Sequence, residues 1–374
     1  MNYDKNAAKH YDLVTRLSAE ETNDPCGDIV YAARLLYALC AYFSALGKPA
    51  PLAEKLSGTL VEKLPDLSDV SDPETLGKLT EAANALSAYH KMTADETVGN
   101  ALKTVFGILT DELFSEIHGG KDGDKGGAAK NDRLSEIGCN ALPFVAENRT
   151  LNAEKSKRFA GALLPLFSDE NHTFESTIYA FNGAIGLLSM TKTDPSLLSH
   201  VLAFAKNLAA KNANLDYSFN KSQDPNDKTA DPVATSLAMR FYTEIYKTTG
   251  DRFFLYIARR IWFNAMQFLE RQDGYVGYDN PPRSPEGLLS VKTYKEKALT
   301  PAFCHGLCAY EKNKGLFAEY DAPVKKDPRG RYVVDDKIFA REQGGYFGRD
   351  LIEIPSLLSF DEETASGFVF KLLF

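Results

Sequence analysis

The stretch Asp231-Pro232-Val233-Ala234-Thr235-Ser236-Leu237-Ala238-Met239-Arg240-Phe241-Tyr242-Thr243-Glu244-Ile245-Tyr246, closed by Thr249-Gly250-Asp251 and followed by Arg252-Phe253-Phe254-Leu255-Tyr256-Ile257-Ala258, decides the fold. Val233, Leu237, Phe241 and Ile245 recur every fourth residue, and Ala234, Ala238, Tyr242 and Tyr246 form a parallel row. Two adjacent apolar rows make a wide stripe, the pattern of a helix covered on most sides. Beyond Gly250-Asp251, Phe254, Ile257, Ile261, Ala265 and Phe268 fall on one face, while Arg252, Arg259, Asn264 and Glu270 fall largely elsewhere. The second helix is therefore amphipathic and reads as the outer partner of a buried inner one.

The same unit recurs along the chain: an apolar helical run, a short turn of small or polar residues, then a second run. The turns fall at Gly47-Lys48-Pro49, Thr93-Ala94-Asp95, Asn148-Arg149-Thr150, Thr193-Asp194-Pro195, Thr249-Gly250-Asp251 and, more weakly, Asn313-Lys314-Gly315. Their spacing of about 45 to 65 residues accommodates two helices and a loop each time. Further pairs are Ile29–Leu46 with Leu52–Leu64, Leu76–Lys91 with Thr97–Ile117, and Thr177–Met190 with Leu197–Ala210. Six pairs fit a mainly α (α/α)6 toroid, with an open solenoid of stacked pairs as the alternative. Turns within pairs are short. Connections between pairs, Pro65–Pro73, His118–Asp132, Ala213–Ala230 and Arg271–Leu299, are long. That asymmetry favours the closed ring and gathers the loops on one rim, where function is usually carried.

The Gly119–Gly127 loop has neither the ending of a phosphate-binding loop nor the ligand spacing of a calcium loop, and reads as a flexible surface connection. After about Glu319 the composition shifts. Arg331–Phe339, Gly345–Ile354 and Gly367–Phe374 are rich in Val, Ile, Tyr and Phe between Gly and Pro, and read as strands. The expected organisation is a helical toroid over residues 1–318 and a small β-rich segment over residues 319–374.

A net charge of -8 without any Lys/Arg-dense, aromatic-interleaved stretch excludes the electrostatic footprint of a nucleic-acid binder. No run of about eighteen apolar residues is apparent, so no membrane partner is expected. The five cysteines, Cys26, Cys40, Cys139, Cys304 and Cys308, are odd in number and sparse, which fits a reducing cytoplasm rather than a disulfide framework. A secreted location would require a leader removed from ahead of the polar Met1–Ala19 stretch. Oligomeric state is not legible.

If the long loops mark the working rim, the first helix of each pair begins there, with free N–H groups that attract anions and carboxylates. The residues at those starts are Asp24, Pro25, Cys26 and Asp28; Pro73 and Glu74; Asp132 and Arg133; Phe174 and Glu175; Asp231; and Cys304 and His305. Asp24, Asp132 and Asp231 also stand where ordinary caps belong, and Pro25, Pro73 and Pro232 suit first helical positions. Glu175 is less easily absorbed this way, because Thr173 already supplies a cap. Cys304-His305-Gly306-Leu307-Cys308 places two thiols on one helix face beside a potential zinc ligand, and equally reads as two buried structural cysteines. Tyr275, Tyr278, Asp279 and Asn280 set aromatic rings beside short polar groups, a composition that suits a sugar cleft as well as an ordinary turn.

Asp231 through Tyr278, followed by the Cys304 segment, resembles the catalytic barrel of the β-L-arabinofuranosidase family of glycoside hydrolases. In that family a Glu-x-Cys pair opens an inner helix that ends at a Thr-Gly-Asp-like turn. An outer helix follows, and a Cys-Cys pair opens the next inner helix, completing a zinc-thiolate site. Here Val233–Tyr246, Thr249-Gly250-Asp251 and Phe253–Leu269 match the helices and turn. Asp231 falls near the glutamate, Val233 replaces the first cysteine, and Cys304-His305 stands where the cysteine pair would be. The resemblance implies zinc held by Asp231, Cys304 and His305, with Cys304 as nucleophile and Glu175 or Asp279 as acid/base. Tyr275, Tyr278 and Asn280 would bind substrate. The departures leave three readings: a diverged glycosidase, a metal-free enzyme using two carboxylates, or a toroid that has lost catalysis and keeps sugar binding or a scaffold role. A terpenoid-type or isomerase toroid lacks support, since no Asp-rich magnesium motif is present. The principal expectation is a glycoside hydrolase-like protein acting on an oligosaccharide at the long-loop rim.

Overall fold

The computed structural model describes residues 28–119, 125–169, 172–213, 217–224, 231–262 and 299–318, three residues near the N-terminus (11, 14 and 15), and short strands at 275–279, 290–294, 325–326, 332–334 and 337–339. The helices are α1 Ile29–Leu46, α2 Ala53–Lys63, α3 Pro73–Thr93, α4 Glu96–Gly107, α5 Phe114–Gly119, α6 Lys125–Glu147, α7 Ala153–Ser168, α8 Thr177–Met190, α9 Leu197–Asn212, α10 Pro232–Thr249, α11 Arg252–Arg260, α12 Leu299–Lys312 and α13 Lys314–Ala318.

Local chemistry fixes the ends. Asp28 accepts from the N–H groups of Val30 and Tyr31, Asp72 from Glu74 and Thr75, and Asp231 from Val233 and Ala234, each filling donors that the first helical turn leaves open. Gly47 and Gly250 end α1 and α10 at φ 62° and 72°, conformations that a side chain would strain. Five of the six sequence-derived turns fall at junctions between consecutive helices; of the sixth, Asn313 alone separates α12 from α13, which Lys314 and Gly315 open.

The inner helices form a closed ring. Helix α1 packs on α3, α3 on α6, α6 on α8, α8 on α10, α10 on α12, and α12 returns to α1. Helices α2, α4, α7, α9 and α11 lie outside, each against its own inner partner. The return contact is what separates a toroid from an open solenoid. In α10, Ala234, Leu237, Ala238, Phe241, Tyr242 and Ile245 are buried, and in α11 so are Phe254, Ile257 and Ile261.

Several expectations change. Helix α6 starts at Lys125, inside the expected Gly119–Gly127 loop, so Asp132 and Arg133 sit within a helix rather than at its start. Ala128, Ala129 and Lys130 are good helix formers and carry the segment upstream. Helix α12 starts at Leu299, which likewise moves Cys304 and His305 inside it. Arg259, assigned to an outward face, is buried and donates from Nε to the carbonyl of Leu316 at 2.8 Å, because α13 folds over it. Helix α1 is by length and composition sufficient to cross a membrane, contrary to the expectation that no such run exists. It forms part of the ring wall instead, with Arg34 paired to Glu81 of α3. Within the expected Arg271–Leu299 connection, Tyr275–Asp279 pairs antiparallel with Ser290–Tyr294. Beyond Ala318, three short strands pair in the order Lys325–Lys326, Tyr332–Val334, Lys337–Phe339. The expected strands Gly345–Ile354 and Gly367–Phe374 lie outside the described residues, as does most of the 319–374 segment.

Candidate active site at the long-loop rim

The starts of neighbouring inner helices are sewn together by the loop ahead of α10. The amide of Phe174 donates to Gln223 Oε1 at 2.9 Å and the amide of Gln223 to the Phe174 carbonyl at 3.0 Å. Thr177 N–H donates to the Lys221 carbonyl, and Asp231 N–H to that of Phe219. This clasp holds the entries of α8 and α10 side by side.

Just inside those entries lies a charged constellation drawn from four inner helices. Arg34 of α1 donates from Nε and Nη2 to Glu81 Oε1 of α3 at 3.0 and 2.7 Å. Glu81 is only 4% exposed, so its charge is held by this one cation. Burial disfavours the Arg34 charge, but Glu81, with smaller help from Asp231 and Tyr179, more than offsets that and raises its pKa. Tyr179 of α8 is pushed up to about 12, first by burial and then by Glu81, with Arg34 and Arg133 pulling the other way and Glu136 adding to the rise. It is thus a neutral phenol at physiological pH, able to donate a proton in a hydrogen bond. Glu136 of α6, also buried, accepts from the backbone N–H of Glu175 at 2.9 and 3.2 Å, and lies 3.4 Å from His172 Nε2. His172 in turn stands edge-on to Phe174, with ring centroids 4.7 Å apart. Two buried carboxylates, a protonated phenol, the Arg34 guanidinium and an imidazole thus gather in one basin of charge near the entries of α6 and α8, with the exposed Arg133 acting on Tyr179 from outside it.

Sequence reasoning named the doorway to this basin and missed its contents. Glu175 contributes its backbone N–H, while its carboxylate is exposed. Asp231 caps α10 and is close enough to help hold the Arg34 charge. Arg34, Glu81 and Glu136 lie further along their helices, and Tyr179 lies in the first turn of α8. For Arg34, Glu81 and Glu136, the signal that could have found them is a charged residue among the apolar and small residues of an inner helix's buried face.

Cys304 is fully buried and Cys308 nearly so. His305 is 3% exposed and its ring meets Tyr37 of α1 edge-on at 4.8 Å, facing Arg240. Among the described residues no group of three or more His, Cys, Asp and Glu side chains could hold a metal ion. Asp231, Cys304 and His305 form no such group: Asp231 Oδ1 caps α10, and the His305 ring lies edge-on to Tyr37 of α1. Tyr275, Tyr278 and Asp279 belong to the strand paired with Ser290–Tyr294, and Asn280 lies outside the described residues.

No protein-family model matches this chain, and no curated protein matches it in sequence. Solved structures do resemble it. A glycosyl hydrolase family 88 protein from Bacteroides vulgatus superposes with a TM-score of 0.54 at 9% identity, over 82% of this chain and 99% of that one. A sugar epimerase from a ruminal bacterium superposes with a TM-score of 0.52 at 14% identity, over 75% and 87% respectively. At such identities the likeness is one of fold. It supports the α/α toroid, and not the arabinofuranosidase family in particular.

Proposed function

We propose that this protein is a carbohydrate-active enzyme, most simply a glycoside hydrolase, that takes an oligosaccharide end into the long-loop rim of its toroid. The observation that carries this reading is the cluster itself: Glu81 and Glu136, both buried on neighbouring inner helices, both act electrostatically on the protonated Tyr179. Glycoside hydrolysis needs a proton for the departing oxygen and a carboxylate to activate water or attack the anomeric carbon. Glu136 is our candidate for the carboxylate. It is held by the Glu175 N–H, and His172 beside it can exchange a proton with it. Tyr179, on which both carboxylates and Arg34 act electrostatically, is our candidate proton donor, and Arg34 holds Glu81 in place. Asp231 and Glu175 at the entry, and Tyr275, Tyr278, Asp279 and Asn280 from the following connection, are proposed to line the approach of the sugar. The two toroid neighbours are named as a glycosyl hydrolase and a sugar epimerase, which agrees with this choice of substrate class.

The test is a panel of nitrophenyl glycosides and reducing oligosaccharides assayed with the full chain. Turnover by the wild type that drops about a hundredfold or more in Glu136→Gln, with an unchanged melting temperature, is the expected result. Turnover that persists in Glu136→Gln would remove that residue from the chemistry. Sugar-dependent thermal stabilisation without turnover would replace the enzyme by a sugar-binding toroid, and the absence of both turnover and stabilisation would overturn the carbohydrate reading altogether.

A further inference from the structure

A cavity of about 390 Å³ opens on the short-turn rim, at the ends of the inner helices away from the basin. Its walls are His90 near the end of α3, Glu96, Asn100 and Lys103 of α4, and Asn148 and Leu151 of the turn after α6. Ala94 turns the chain between α3 and α4 at φ 57°, its N–H donating to the His90 carbonyl at 2.7 Å, and so lays α4 over the imidazole. Gly99 permits that overlap, since a Cβ there would stand 2.8 Å from His90 Cε1. His90 Nδ1 is 2.8 Å from the Asp95 carbonyl, which can only accept, so Nδ1 carries the proton and Nε2 of the neutral ring is an acceptor. Asn148 is fixed in the same way: Nδ2 donates to Ser87 Oγ at 3.0 Å and to the Phe144 carbonyl at 2.9 Å, which leaves Oδ1 to accept. Among the described residues, His90 Nε2, Asn148 Oδ1 and the Glu96 carboxylate have no hydrogen-bond or ion-pair partner.

The floor of the cavity carries both signs of charge. Glu96, Gly99, Asn100 and Lys103 follow at the spacing of one helix face, with the two ionic residues about 10 Å apart along the axis. They do not pair with each other, and among the described residues Lys103 Nζ donates only to Asn100 Oδ1, at 3.0 Å. Leu151 on the wall is the one exposed large apolar side chain among the described residues. We propose that this cavity binds a small zwitterion of the amino-acid class, an apolar α-amino acid or a dipeptide beginning with one. The inference stands apart from the carbohydrate reading and does not rest on it. An ammonium has three N–H donors and no acceptor, which matches the three open acceptors of Glu96, His90 and Asn148. The ligand carboxylate meets Lys103 and the Asn100 amide, and the ligand side chain covers Leu151. A bare amine or a bare acid answers one ion and leaves the other unmatched. A sugar answers neither, and meets no Phe, Tyr or Trp in this lining.

Titration calorimetry on the full chain with L-leucine, L-leucyl-glycine, isoamylamine, isocaproate and D-glucose tests this. Leucine or its dipeptide is expected to bind about tenfold or more tighter than isoamylamine or isocaproate, each of which lacks one charge-assisted contact. Preference for leucine marks a free amino acid as the occupant and preference for the dipeptide a short peptide, and either supports the proposal. Glu96→Gln and Lys103→Met, both at exposed positions, are each expected to weaken that binding about tenfold with an unchanged melting temperature. Leu151→Ser is expected to weaken it several-fold. No binding of either zwitterion by the wild type would overturn the proposal. So would equal binding of isoamylamine or isocaproate, or affinities untouched by Glu96→Gln and Lys103→Met. Displacement of leucine by glucose would make the cavity a sugar site and overturn it as well. None of these results touches Glu136 or turnover, so the carbohydrate reading stands or falls separately.

Discussion

Tyr179 is the side chain on which the charges of the rim converge, and its protonation has a measurable consequence. With its pKa at about 12 in the folded protein and near the ordinary 10 when unfolded, the native state retains a proton that the unfolded chain gives up between those values. Its contribution to stability is therefore full below pH ~10 and is lost as pH rises towards 12. Phenolate absorbance near 295 nm should appear at lower pH in urea than in buffer. Tyr179→Phe should make the alkaline fall in melting temperature shallower; an unaltered alkaline profile would show that the phenol titrates freely. Burial also raises Tyr217 and Tyr242, so the variant should reduce the slope without abolishing it. Tyr179 was not legible in the sequence for a simple reason. A tyrosine near the start of an apolar helix is indistinguishable from core until Glu81, Arg34, Arg133 and Glu136 are seen around it. Asp231 and Glu175 were legible because helix starts announce themselves through capping chemistry. In the fold Asp231 caps α10 and Glu175 donates its backbone N–H to Glu136.

At the scale of single elements, α6 shows what a ring of closely packed helices requires. Pro143 interrupts it, and the Asn84 side chain of α3 enters the backbone ladder there. The amide of Phe144 donates to Asn84 Oδ1 at 3.1 Å, while Asn84 Nδ2 donates to the Asn140 carbonyl at 2.6 Å. A side-chain amide thus stands in for one peptide of the helix, and the Asn140 side chain continues the network to Thr80 and Asn182. Asn84→Leu should cost about 2–3 kcal/mol in urea denaturation, since it strands buried partners on both sides. A loss under half a kcal/mol would mean the ladder simply recloses. Glycines give a contrast that the sequence alone could not draw. A Cβ at Gly186 of α8 would stand 2.6 Å from the Leu142 carbonyl carbon of α6, and backbone cannot yield. A Cβ at Gly58, on the exposed side of α2, would meet nothing within 4 Å. Gly186→Ala should destabilise by about 1–3 kcal/mol or more, and Gly58→Ala should stabilise by about 0.5–1 kcal/mol. Equal midpoint shifts for the two would refute the close approach of α6 and α8. Periodicity revealed that these helices exist; which glycine lies under a neighbour depends on crossings that no local pattern encodes.

For the whole molecule, the consequential feature is that the first and last inner helices meet. The sequence favoured a toroid over a solenoid only through loop lengths, an indirect sign, because contacts between residues so far apart leave no local trace. Tyr37 against His305 joins α1 to α12, the Ser236 hydroxyl accepts the Gly306 amide at 2.6 Å to join α10 to α12, and Arg240 bonded to Tyr37 spans the same seam. In an open solenoid each repeat leans only on its neighbours, so removing a terminal repeat trims stability by one increment. In a closed ring the removal of α12 exposes apolar surface on both α10 and α1, and no neighbour covers either. A chain ended at residue 298 should therefore lose its cooperative thermal transition and bind a hydrophobic dye at room temperature, rather than melt a few degrees lower. A sharp transition retained by that truncated chain would show that the ring's stability is local after all.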